Sequence, residues 1–329
     1  MRAIVYDRPR HWELADVPLP EPGPGQVRLR VLASGVCGTD VHLHAGQFGP
    51  VYPLTPGHEI VGVVDALGDG VTGRTVGETV ALDNMVACGD CAQCLRARPQ
   101  FCAGMRALGV TDPGGFGEAV LAPAGKCHPA GDLSLEAALL AEPTACVVHG
   151  LDVLDLKAGS DVLVLGTGPT GLLLTQLLRA SGAARVTVAG RTPAKLELAA
   201  ALGADRILPI GGDLRTPDGY DVVVDATGAP EVLATGLGLL GIGGTLFVYG
   251  MTAEDATLTV NPYDVFRREL TIKGSFSQGH SFDRAMALLR TGRVRPDGII
   301  THWLDLDRYG EALDRVGDPA CVKAVVRVA

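Results

Sequence analysis

Two rhythms of apolar and polar positions divide the chain. From Met1 to about residue 145, short β-like runs are cut by Gly and Pro, as in Ala3-Ile4-Val5-Tyr6, Val27-Arg28-Leu29-Arg30-Val31 and Ile60-Val61-Gly62-Val63-Val64. Runs of this kind bounded by turn residues predict an irregular, mostly antiparallel domain. Pro18, Pro20, Pro22 and Pro24 predict a rigid early loop. After about residue 145 the strands become wholly apolar. Asp161-Val-Leu-Val-Leu165 leads through glycines into an apolar helix, Leu172 to Ala180. Val186 to Ala189, a helix from Pro193 to Leu202, Val222 to Asp225, Gly244 to Gly250 and Leu270 to Gly274 follow. Strands alternating with helices predict βαβ units and a parallel sheet. Thr192 as N-cap and Pro193 at the first helical position mark the second helix start. The closing run, Val322 to Val328, returns to strand character and is expected to rejoin the first region.

Composition excludes several classes of function. A chain of 329 residues exceeds one ordinary core, so two domains are expected. Net charge is −9 and no Lys/Arg cluster marks a polyanion-binding face, so nucleic acid is not an expected partner. No apolar run approaches the roughly 20 residues that span a bilayer, and no membrane partner is expected. Met1 leads directly into a strand with no signal-peptide pattern, and the expected location is cytoplasmic. In that reducing compartment the eight cysteines are expected to be thiols or metal ligands.

Chemistry-bearing residues fall into three sets. Gly166-Thr-Gly168-Pro169-Thr170-Gly171 lies between a buried-type strand and a helix, the setting a dinucleotide-binding turn requires. Gly166 permits the tight turn, Gly168 lets a pyrophosphate reach the backbone, and Gly171 lets helix and strand pack closely. The acidic residue expected at the end of the next strand, which would bind the ribose hydroxyls of NAD, is absent. Gly190, Arg191 and Thr192 stand there instead. Gly190 leaves room for a 2′-phosphate and Arg191 offers it a cation, so NADP is favoured over NAD. The competing reading of Arg191 is a solvated loop cation.

Cys88, Cys91, Cys94 and Cys102 form the second set, C-x2-C-x2-C-x7-C. Four thiolates at such spacing predict a closed structural zinc site. An iron–sulfur cluster competes, but the ferredoxin run has three residues before its last cysteine and a Pro after it, where this chain has seven and Ala103. The third set is scattered: Cys37 in Gly35-Val-Cys-Gly-Thr-Asp-Val-His42, His58-Glu59 after Gly57, and Glu142 before Pro143. Taken alone, each is as readily a core or surface residue. Together they offer one sulfur, one imidazole and carboxylates, a set suited to zinc with one position left open.

The five motifs in this order, Cys-Gly-Thr-Asp-x-His, Gly-His-Glu, four clustered cysteines, Glu-Pro and G-x-G-x-x-G, resemble the zinc-dependent medium-chain alcohol and polyol dehydrogenases along essentially the whole chain. Glu142-Pro143 followed by Cys146-Val-Val-His-Gly150 is closer to the sorbitol and arabitol branch, which includes scyllo-inosamine dehydrogenase-like members. The resemblance implies an α/β chain with a GroES-like, mainly antiparallel β catalytic domain from residues 1–145 and 277–329. A doubly wound, parallel-sheet Rossmann coenzyme domain is inserted over 146–276, and catalytic zinc is expected beside the nicotinamide. Cys37, His58 and Glu142 match the catalytic-zinc ligands, and Glu59 matches a carboxylate able to approach the metal. Asp40 matches the acid that orients the histidine, Thr39 the hydroxyl that passes the substrate proton, and His42 the outer end of that relay. The implied activity is hydride transfer between NADP(H) or NAD(H) and a secondary alcohol or ketone, a polyol or cyclitol, with two zinc ions per chain. A homodimer or homotetramer is expected, the run Leu270 to Gly274 being able to extend the sheet across a subunit interface. The rival readings are a zinc-independent quinone reductase-like enzyme, which lacks this ligand set, and a non-catalytic zinc-binding relative. One departure bears on substrate: sorbitol dehydrogenases carry an arginine where this chain has Phe276-Ser277-Gln278.

Overall fold

The computed structural model describes residues 1–328 and divides into two compact units, Met1–Ala145 with the segment from Gln278 onward, and Cys146–Ser277. The first unit is built on a seven-stranded sheet. Its order is Ile300–Asp305, Lys323–Arg327, Gln26–Gly35, Glu59–Leu67, Thr79–Leu82 and Cys127–Pro129, with Ala119–Pro123 also paired to Gln26–Gly35. Ile300–Asp305 runs parallel to Lys323–Arg327, and the other pairings are antiparallel. Gln26–Gly35 is central because alternate positions Val27, Leu29 and Val31 are buried in one cluster with Ile60, Val80 and Leu82. A second cluster gathers Ile4, Tyr6, Leu54 and Phe116 with Leu304, Tyr309 and Val326, so the chain's first and last segments share a core.

The second unit carries a six-stranded parallel sheet in the order Arg206–Pro209, Arg185–Gly190, Asp161–Leu165, Tyr220–Asp225, Leu240–Val248 and Thr271–Gly274. Numbered within the unit this is 3-2-1-4-5-6, the doubly wound order. Val162 to Leu165 are inaccessible to solvent, as a strand covered on both faces should be. Helix Pro169–Ala180 begins three residues before the apolar run at Leu172, because Gly168 serves as N-cap and Pro169 suits the first turn. Thr192 occupies the N-cap position of helix Pro193–Ala201 without a side-chain capping bond. Strand Leu240–Val248 starts before Gly244: Gly243 has φ +74° and Ile242 is 82% exposed, so an apolar pattern is missing there. No helix among the described residues is long and apolar enough to cross a membrane.

The turn after Asp161–Leu165 depends on two glycines. Gly166 has φ +118°, where a side chain is strained. Any Cβ on Gly171 would run into the carbonyl oxygen of Gly166, so helix and turn touch through backbone alone. Gly171→Ala is expected to cost about 1–3 kcal/mol by overpacking. Thermal unfolding checks this, and a variant as stable as the parent would show that the turn yields freely.

Candidate functional site

The sheet register of the first unit brings distant residues to one end. Gly35 lies opposite Glu59, and Val325 opposite Gly35. The chain therefore leaves the central strand toward Cys37 at the end where His58 enters one neighbour and Lys323 enters the other. Ligand atoms of Cys37, His58 and Glu59 lie within 4.8 Å of one another. His58 and Glu59 are buried, and Cys37 is half-buried. Glu142, at the start of helix Ala141–Leu154, is buried too but falls outside that mutual 4.8 Å group.

Asp40 serves two neighbours at once. Its Oδ2 accepts the N–H of Cys37 at 2.8 Å, fixing the start of helix Gly38–His44. Its Oδ1 faces His58 Nδ1 at 3.7 Å, and both atoms are buried without a hydrogen-bond partner. This leaves Nε2 as the ring nitrogen for a ligand, with Asp40 placed to orient the ring through Nδ1. Burial works against charge on His58, but Asp40 and Cys37 outweigh it and carry the imidazole pKa well above its ordinary value. One sulfur, one imidazole and carboxylate oxygens brought together in this way make a donor set that fits zinc.

The sequence reading missed Lys323, which is 3% exposed and ion-paired with Glu59. Its burial opposes the charge, and Glu59, Cys37 and Glu142 more than offset it, leaving the ammonium above the usual lysine pKa. The available signal was a lysine inside the otherwise apolar strand Lys323–Arg327. Thr39 Oγ1 lies 3.8 Å from Cys37 Sγ. His42 is three residues along the same short helix, hence on the same side, and its Nδ1 bonds Gln47 Oε1 at 2.7 Å.

The four clustered cysteines also converge. Cys102 Sγ is 3.4 Å from Cys88 Sγ, Cys91 Sγ 3.6 Å from Cys94 Sγ, and Cys88 Sγ 3.9 Å from Cys94 Sγ. A tetrahedron of Zn–S bonds sets its sulfurs about 3.8 Å apart, so the observed spacing fits one zinc ion. Backbone N–H groups of Cys94 and Ala103 lower the Cys91 pKa to about 6, whereas contact with Asp90 pushes Cys88 up to about 12. Leu95 and Phe101 in this lobe are 76% and 51% exposed, so little apolar packing holds it.

In the second unit, the Cβ position of Gly168 has no protein atom within 4 Å, leaving the approach that a pyrophosphate needs. Pro169, Thr170 and Gly171 follow in the first turn of the helix, whose free N–H groups favour an anion. Gly190 is buried at the end of its strand, and Arg191 is exposed and makes no ion pair among the described residues. The space beside Gly190 is not empty. A Cβ there would lie 2.5 Å from Thr167 Cγ2 and 2.8 Å from its Oγ1.

Comparison with known proteins gives the family and the fold. The alcohol dehydrogenase GroES-like domain matches residues 23–132, and the zinc-binding dehydrogenase family matches residues 169–291. D-arabinitol dehydrogenase 1 of Uromyces fabae is 40% identical, over 99% of this chain and 97% of that protein. D-altritol 5-dehydrogenase of Agrobacterium fabrum is 35% identical over 98% of each. Among solved structures, a zinc-binding dehydrogenase from Sinorhizobium meliloti bound to NADP superposes with TM-score 0.92 at 33% identity, covering 99% of this chain and 98% of the other. With a GroES-like unit carrying the thiol–imidazole–carboxylate cluster and a parallel-sheet unit carrying the glycine turn, the chain belongs to the zinc-dependent, NAD(P)-dependent alcohol dehydrogenases.

Proposed function

We propose that the chain interconverts a polyol or cyclitol and the corresponding ketone, with NADP(H) preferred over NAD(H). The observation that carries the catalytic assignment is the gathering of Cys37, His58 and Glu59 at one end of the sheet, with the Thr39 hydroxyl beside the thiol. Cys37, His58 and Glu142 would hold catalytic zinc, with Glu59 able to approach it, and Cys88, Cys91, Cys94 and Cys102 would hold a structural zinc. When bound, catalytic zinc supplies a Lewis acid that lowers the alcohol pKa, and the nicotinamide accepts the hydride. Thr39 Oγ1 accepts the hydroxyl proton of the substrate, and His42 passes it outward. Asp40 keeps His58 oriented and Cys37 anchored. Ketone reduction runs the same proton path in reverse.

The polyol class is supported by the arabinitol and altritol dehydrogenases among the relatives. Sorbitol itself is disfavoured, because Gln278 stands in the stretch where sorbitol dehydrogenases carry an arginine. Its amide donates to Asn84 Oδ1 at 2.7 Å and is buried there. A cytoplasmic location suits eight cysteines that form no disulfide. Self-association as a dimer or tetramer is supported by the edge strand Thr271–Gly274 and by exposed Ile242, Tyr263, Phe266 and Ile272 in the same unit.

The two metal sites separate by mutation. Cys37→Ser should abolish turnover with the fold intact, whereas Cys94→Ser should lower the unfolding temperature by more than about 5 °C, since a closed thiolate site contributes folding free energy. Elemental analysis of active enzyme should give two zinc ions per chain; one or none refutes the assignment.

Thr39→Val keeps the shape and removes the hydroxyl. It should slow turnover about 10²-fold with zinc retained, the usual scale of a lost proton-transfer group. Near-parental turnover of a cyclitol or pentitol would remove Thr39 from the relay.

Cofactor preference is read from catalytic efficiency with each cofactor on one substrate. Arg191→Ala should weaken NADPH use about 10- to 100-fold, the worth of a charge-assisted hydrogen bond, and leave NADH use nearly unchanged. Gly190→Asp should reverse the preference when combined with Thr167→Ala, which clears the space a new Cβ needs. A parent enzyme that already favours NADH would make Arg191 a solvated surface charge.

A further inference from the structure

We propose that Lys323 is a positioning residue that holds Glu59 off the catalytic metal and so keeps the substrate position open. The proposal rests on the reading that Cys37 and His58 bind zinc. Lys323 opens the last strand of the chain and lies nearly inaccessible to solvent. Its Nζ pairs with the Glu59 carboxylate and donates to the carbonyl of Val36 at 3.3 Å, so the ammonium is fixed by strand-end backbone as well as by charge. Gly35 lies directly against this pair. A Cβ there would collide with the Glu59 carboxylate and sit 2.9 Å from Lys323 Cε, so the central strand leaves room for the pair only by carrying no side chain at that point.

The same carboxylate also lies within 4.8 Å of both the Cys37 sulfur and a His58 ring nitrogen. Glu59 therefore stands between two cations, the fixed ammonium and the metal held by its neighbours, and its oxygens cannot serve both fully. Asp40, Glu59 and Glu142 are all buried in this unit, and Lys323 is the one buried Lys or Arg among the described residues. With its charge present, Glu59 has a partner while the metal keeps an open position for an alcohol oxygen. With its charge removed, the metal becomes the only cation within reach of a buried carboxylate, and Glu59 should close the open position as a permanent ligand.

The test uses the zinc-loaded enzyme and reads zinc release to a chromogenic chelator alongside turnover. Lys323→Met should slow release of the catalytic zinc at least tenfold and lower kcat at least tenfold, with the KM for the cofactor unchanged. Adding Glu59→Gln to Lys323→Met removes the trapped carboxylate and should return zinc release to the parental rate or faster. Parental zinc release from Lys323→Met, or a double variant that still holds zinc tightly, would overturn the proposal. Should Lys323→Met fail to fold, Glu59→Gln alone decides: a parental rate of zinc release supports a carboxylate held off the metal, and release several-fold faster, which would make Glu59 a ligand with Lys323 in place, refutes it. Cys37→Ser distinguishes failure of the underlying reading, because retention of two zinc ions there would displace the ligand assignment itself.

Discussion

Asp40, Glu59 and Glu142 are all buried in the first unit, beside the half-buried thiol of Cys37, and acid withdrawn from water in this way needs hydrogen-bond donors or positive charge beside it. Lys323 provides one such charge, and removing a partner from a buried pair of this kind costs about 3–5 kcal/mol. Beside it, Asp40 and Cys37 hold the His58 imidazole pKa well above its ordinary value despite its burial. The scaffold serves this arrangement closely. Strand Gln26–Gly35 is paired on both edges, and its register with Glu59–Leu67 and Lys323–Arg327 delivers the thiol, the imidazole, the carboxylate and the ammonium to one end. Gly35 then gives way sterically so that two of them can meet above it.

The second unit handles its buried acid in another way. Asp225, inaccessible at the end of its strand, makes no ion pair among the described residues and instead accepts from Thr227 N at 3.0 Å, Thr227 Oγ1 at 2.6 Å and Gly228 N at 3.1 Å. Burial raises its pKa and these donors only partly restrain it. The bonds fold residues 225–228 into a tight turn that lies against Gly166, whose Cβ position is 3.0 Å from Thr227 Cγ2. A hydrogen-bonded carboxylate is thus used here to shape the backbone, and the glycine turn it borders carries no fixed charge. That suits a loop meant to receive a pyrophosphate on backbone N–H groups.

What the sequence disclosed follows from how local each signal is. Asp161–Leu165 was readable residue for residue, because a strand covered on both faces must be apolar throughout. The cysteine cluster was readable because its four donors lie within fifteen residues and chain length alone limits how far apart they can fold. The first half of Leu240–Val248 was not, since Gly241, Gly243 and Gly244 erase the pattern. Glu59 enters the sequence reading as one carboxylate of the scattered set with Cys37, His58 and Glu142, but its partner Lys323 is missed. Their contact joins opposite ends of the chain through strand register, which periodicity within either strand does not encode.

Steric complementarity of the same non-local kind governs the end of strand Arg185–Gly190. The absent acidic residue was visible in sequence, and it suggested free space beside Gly190. Thr167, from within the glycine turn, occupies that space, so the two positions are coupled across adjacent parallel strands. A side chain at 190 therefore needs Thr167 to shift or to be smaller, and a threonine at 167 favours glycine at 190. The Thr167–Gly190 contact thus bears on which residues this strand end can carry, beside the charge that Arg191 offers. Arg191, exposed and without an ion pair among the described residues, leaves its guanidinium available at this strand end, where the proposed 2′-phosphate contact would use it.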